Sequence, residues 1–199
     1  MVPGTADSGL GTLGSGFYRF NVIGVLRFIG ILNAAIWLGG AVFFTFGAAP
    51  VPFSNAMKEL LTEANYPYFS GAIAQLLISK YFALHIICGA VALAHLGAEW
   101  LYLGRPARRS TLILLLVLFG FGLLGSLWLQ PKMKRLHQYK YAPNVSEDMR
   151  TRAAKSFRLW HATAQVFNVF VLGSLCVYVW RANNPADPTR FVSAMQFRG

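Results

Sequence analysis

The sequence is short of charge, and shortest of negative charge. Seven Asp and Glu stand against 18 Lys and Arg in 199 residues, and charged residues of all kinds make up 13%. A soluble domain carries roughly a quarter, so a fully water-facing surface is excluded. The scarcity of carboxylates also removes classes of chemistry. There is no acid pair suited to acid–base catalysis, no Ser/His/Asp or Cys/His arrangement and no phosphate-cradling glycine loop. The chain reads as one without catalytic activity of its own. Its two cysteines, Cys88 and Cys176, both fall inside apolar runs, which excludes a disulfide framework or a zinc site and leaves them as buried small hydrophobes. Met1–Gly16 has no basic segment ahead of an apolar core, so residues 1–24 read as a flexible tail rather than a cleaved signal.

What is present in quantity is apolar surface. Hydrophobic residues make up 55% and aromatics 15%. They gather into four runs long enough to cross a hydrocarbon layer, about 28–48, 78–102, 111–130 and 158–180. The fold class expected is all-α, an integral membrane four-helix transmembrane bundle over residues 25–182, followed by a polar tail over 183–199. Pro50 and Pro52 end the first run and Pro131 stops the third. Between the first two runs, Ser54–Glu63 reads as a short amphipathic helix capped by Ser54 or Asn55, and Tyr66–Phe69 as an interfacial aromatic turn. Gly104–Arg109 reads as a tight basic turn. Lys132–Arg158 is a basic connection, in which Ser146, Glu147 and Asp148 start a helix that continues into the fourth span. Asn33, Gly40 and Gly47 share a stripe, and Gly120, Gly122 and Gly125 cluster, both as helix-packing positions.

The net charge of +11 does not point to nucleic acid, because the Lys and Arg residues sit at the ends of apolar runs, where they anchor helices at headgroups. The expected partners are the lipid bilayer and other membrane protein subunits, in an inner or plasma membrane. A slight excess of basic residues favours a cytoplasmic last connection.

Ionisable residues inside spans are costly and become functional candidates. His85, Cys88, Ala92, His95 and Glu99 fall on one stripe of the second span, and His161, Gln165 and Asn168 on one stripe of the fourth. His85 lies five residues beyond Lys80 and His161 three beyond Arg158, which predicts two imidazoles at similar depth on facing helices. Such a pair suits the two axial ligands of a b-type haem, or a copper or zinc ion. The alternative for the same residues is interhelical hydrogen bonding with no cofactor. His95 is expected to pair with Glu99 near the opposite interface, and His137 to be solvated in the basic connection.

Particular segments resemble a widespread four-helix membrane family of unknown function with bacterial members and a eukaryotic transmembrane branch. They are Trp37–Gly40 with Phe43, Phe44, Ala49 and Pro50; Ser79–Phe82; Pro131–Met133 with Leu136; and Phe157–His161 with Asn168. The resemblance covers about residues 28–180. That family is similar in architecture to copper-resistance membrane proteins of the CopD type and to four-helix protoporphyrinogen oxidases. The resemblance thus implies copper or haem handling, with His161 on a family motif and His85 placed by geometry alone. Three functions are carried forward: electron transfer or cofactor handling at His85 and His161, a cofactor-free accessory subunit of a larger complex, and a small permease using Glu99 or the Gln165/Asn168 face.

Overall fold

A computed structural model describes the backbone of residues 10–103 and 108–184, and the side chains of residues 24–102 and 108–184. The described residues are all-helical. The helices are α1 (Leu10–Val42), α2 (Asn55–Leu103), α3 (Arg109–Leu124), α4 (Gln130–Tyr141) and α5 (Glu147–Asn183). Three helical stretches are long and apolar enough to cross a bilayer: Gly24–Tyr102, Arg109–Tyr141 and Glu147–Asn183. The first stretch doubles back through a 3-10 turn at Val51–Phe53, and α1 lies antiparallel to α2, with residues 26, 33 and 37 bonded to residues 95, 88 and 85.

The prolines act differently from the sequence expectation. Pro131 does not stop the third helix, which passes through a π turn at Gly125–Leu129 into α4. A second π turn, Phe43–Ala48, precedes Pro50. In an α turn a proline ring strikes the carbonyl four residues back, and the wider π turn gives it room. The basic connection expected over 132–158 is consequently mostly helical, with residues 142–146 joining α4 to α5. Arg109–Tyr141 runs for 33 residues, about 50 Å at the α-helical rise against a hydrocarbon layer of about 30 Å. Its basic end therefore extends past the apolar layer. At that boundary Lys132 sits 3.9 Å over the Trp160 ring and 5.0 Å from that of Trp128, a cation held between aromatic faces where tryptophans collect at membrane interfaces.

Other expectations are also revised. α1 begins at Leu10, inside the segment read as a tail, while residues 1–9, 104–107 and 185–199 lie outside the described residues. Tyr66–Phe69 is helical, not a turn. Pro67 stands five residues past a break at Thr62, so the carbonyl it leaves without a donor is that of Glu63, the first residue after the break. Ser146 does cap α5, accepting from the Met149 N–H at 3.4 Å. Gly122 and Gly125 pack against His85 and Phe82, whereas a Cβ at Gly120 would meet nothing within 4 Å. Cys88 is buried, but Cys176 is exposed.

The core is thin: Trp37, Leu115, Leu118 and Leu175 are among its most buried side chains. The outer surface carries large apolar groups such as Phe43, Phe46, Leu127 and Phe170, each at least 63% exposed. A belt of this kind on a long-helix protein is the surface that lipid covers.

Thr62 is held at φ 62, ψ 155, a region that is nearly glycine-only and costs a β-branched residue about 1–3 kcal/mol. Thr62→Gly is expected to raise the thermal unfolding midpoint in detergent, and Thr62→Val to leave it unchanged or lower.

Candidate functional site

Three of the four histidines are tied down in the same way. His85, on α2, receives the indole N–H of Trp37 on its Nδ1 at 2.9 Å. Indole only donates, so His85 is the Nε2–H tautomer, and that hydrogen goes to the Leu118 carbonyl of α3 at 2.9 Å. Four residues along α3, Gly122 leaves room for the ring, and a Cβ there would stand 2.6 Å from His85 Cδ2. His95 repeats the pattern on α1. Its Nε2–H donates to the Leu26 carbonyl at 2.6 Å, and Gly30 lies under its ring. His137, on α4, donates to the Tyr68 carbonyl at 3.1 Å and sits against Gly71 of α2. In each case a glycine three or four residues past a carbonyl admits an imidazole close enough to reach it.

These arrangements correct two expectations. His95 bonds to α1 rather than to Glu99, because Gly30 lets the ring approach α1 backbone. His137 is buried rather than solvated, since the helical course of α4 turns it onto α2, where the Tyr68 ring stacks on it at 5.4 Å.

His161 is different. No hydrogen bond joins it to another described residue, its ring stacks on Phe157, and it lines a cavity of about 870 Å³ bounded by α2, α3, α4, α5 and both π turns. The cavity wall is mainly apolar, with Phe44, Phe82, Phe121 and Val171 among its members. It lies in the half of the bundle nearer the α4–α5 connection.

Polar groups around the cavity mostly close on one another. Tyr81 donates to Asn168 Oδ1 at 3.3 Å, Asn168 Nδ2 donates to Thr45 Oγ1 at 2.8 Å, and Thr45 donates to the Ala41 carbonyl at 2.8 Å. The chain links α5, α2 and the first π turn. Gln165 is exposed and also borders the cavity. One group is left over: Gln75 Oε1 is buried without a partner among the described residues. An unsatisfied buried acceptor costs about 1–3 kcal/mol.

Depth along the helices now separates His85 from His161. Tyr81 meets Asn168, which sets α2 and α5 in register. His85 is four residues deeper than Tyr81 and His161 seven residues shallower than Asn168, an offset of about 16 Å by helix rise. Two ligands of one ion are separated only by two metal–nitrogen bonds of about 2 Å each. Both ring nitrogens of His85 are also engaged. The pair does not fit as the two axial ligands of a haem or as a shared copper site. Among the described residues, no group of three or more His, Cys, Asp or Glu stands together.

The α1–α4 portion carries a family signature over residues 32–142, that of a domain of unknown function, DUF4149. The chain belongs to the DUF4149 family. No curated protein and no solved structure matches it. The DUF4149 match contains His85, His95, His137, Trp37 and Gln75 and ends before α5, so the Phe157–His161 and Asn168 segments lie outside it. In this DUF4149 protein, sequence reasoning misses Gln75, and gives Trp37 only as part of a motif, without its bond to His85. The available signal for Gln75 is a lone amide between Ala74 and Leu76 in an apolar run.

The His85 contact predicts a contrast between glycines. Gly122→Ala forces the ring off at least one of two hydrogen bonds, and should destabilise the fold by about 1–3 kcal/mol. Gly120→Ala, with open space around it, should be neutral or stabilising by up to about 1 kcal/mol. Parallel thermal unfolding of both variants in one detergent checks this.

Proposed function

We propose that this chain is a four-pass membrane protein that holds an apolar, lipid-like molecule within the half of its bundle nearest the α4–α5 connection. Four passes follow if Gly24–Tyr102 is counted as two. Its 79 residues would extend about 120 Å as one helix, and its two arms pack side by side instead. The observation that carries the binding reading is the cavity. At about 870 Å³ it falls in the size range of ligand sites, which are mostly apolar with a few placed polar groups. A pure structural bundle would be expected to fill such space with side chains.

Haem or copper would have to be held through His161 without His85, since the imidazole of His85 is committed to Trp37 and Leu118. An accessory role rests on the exposed aromatic belt, which suits lipid equally well. Transport through Glu99 draws no support from the cavity, whose wall does not include Glu99.

Native mass spectrometry of protein purified in mild detergent should show a lipid-sized adduct. Ala164→Trp, which projects a large ring from the cavity wall, should reduce its occupancy several-fold. A protein without adduct, unaltered by that variant, would sink the reading. A reduced-minus-oxidised visible spectrum on the same sample should lack a haem band, and a sharp band lost in His161→Ala would replace lipid with haem.

A further inference from the structure

Gln75 and His161 have more in common than the cavity they line. Gln75 precedes Tyr81 by six residues and His161 precedes Asn168 by seven, so the Tyr81–Asn168 contact places both at nearly one depth, about 10 Å toward the α4–α5 connection. They stand on α2 and α5, and both border the cavity. Gln75 is only 9% exposed, and its Oε1 has no partner among the described residues. Buried polar atoms are nearly always hydrogen-bonded, so each exception calls for a cause. Several polar side chains of the wall are already committed: Tyr81, Asn168 and Thr45 to one another, His85 to Trp37 and Leu118, His137 to Tyr68.

We propose that this level receives the head of the bound molecule. The head is neutral and carries an O–H or N–H that donates to Gln75 Oε1, with His161 as its second contact, and the apolar body lies deeper among Phe82, Phe121 and Val171. The inference rests on the binding reading above and adds the chemical class: an uncharged hydroxyl- or amide-bearing amphiphile. A charged head does not fit. Among the described residues the cavity wall includes no carboxylate to meet a cation, and its one Lys or Arg, Lys140, lies over the Tyr141 ring at 4.9 Å. An ion buried without a partner is far more costly than a hydroxyl.

The test uses the full-length protein in lipid nanodiscs with two photoreactive probes, a long-chain alcohol and its methyl ether. They share an apolar body and differ in the single donor hydrogen. The alcohol should crosslink to peptides of α2 and α5 lining the cavity about tenfold more than the ether, the ratio expected for one buried hydrogen bond. Gln75→Leu should bring the alcohol down to the ether's level with no loss of thermal stability, since it removes an unsatisfied acceptor. Gln75→Asn, with its shorter amide, should lose most of the preference while keeping the polarity. If alcohol and ether label the native cavity equally, the head assignment fails and the cavity reading stands. If neither labels it, both fail. If the alcohol preference survives in Gln75→Leu, the donor goes elsewhere and Gln75 is not its partner.

Discussion

Three helices meet at the imidazole of His85, where the Trp37 indole of α1 and the Leu118 carbonyl of α3 occupy the two ring nitrogens. Among helices surrounded by lipid, burial of apolar surface does little to choose neighbours, because lipid tails are as apolar as leucine. Polar contacts and close backbone approach choose them instead. The Trp37–His85–Leu118 contact supplies the first, and Gly122 beneath the ring the second. His95 on Leu26 and Gly30, and His137 on Tyr68 and Gly71, extend the same device to the α1–α2 and α2–α4 contacts. Asn33 adds a further tie between α1 and α2 through the Cys88 carbonyl at 3.0 Å.

This device is also what frees the cavity. With three imidazoles used to pin helices, the bundle keeps its register without filling the space between the first π turn, α2, α4 and α5. The π turns contribute directly. Each widens its helix by a residue just before a proline, and both line the cavity wall through Thr45 and Trp128. The Phe44 ring stacks on Tyr81 at 4.2 Å, which holds the tyrosine hydroxyl toward Asn168. Stability and the proposed binding site thus depend on the same few contacts. Variants at Trp37 or His85 would disturb both, which is why Gln75 and Ala164 are the better probes of binding alone.

Much of this was legible in the residues, and the rest failed for identifiable reasons. The apolar runs marked the membrane-facing helices, and the acids after Ser146 marked the start of α5. Of the two polar stripes, His85 and His95 on α2 and His161 and Asn168 on α5 turn inward, whereas Gln165 is exposed. The similar depth expected of His85 and His161 fails because Lys80 and Arg158 do not mark one interface. Lys80 is exposed well inside α2, and the true register comes from Tyr81 against Asn168. Pro131 misled because a proline's effect depends on the turn before it, and a π turn leaves no clear trace in composition. Gln75 was passed over because one amide in an apolar run looks the same whether or not it finds a partner.

The sequence by itself determined that the chain is helical and bound for lipid, since hydropathy and backbone hydrogen bonding act along each segment alone. It also determined which few side chains are too polar to face that lipid. Only the tertiary structure decided what those side chains do. Whether an imidazole binds a carbonyl, an iron or nothing depends on which glycine of a neighbouring helix lies beneath it and at what depth. Those relations exist between helices, and the spacing of residues within any one of them does not contain them.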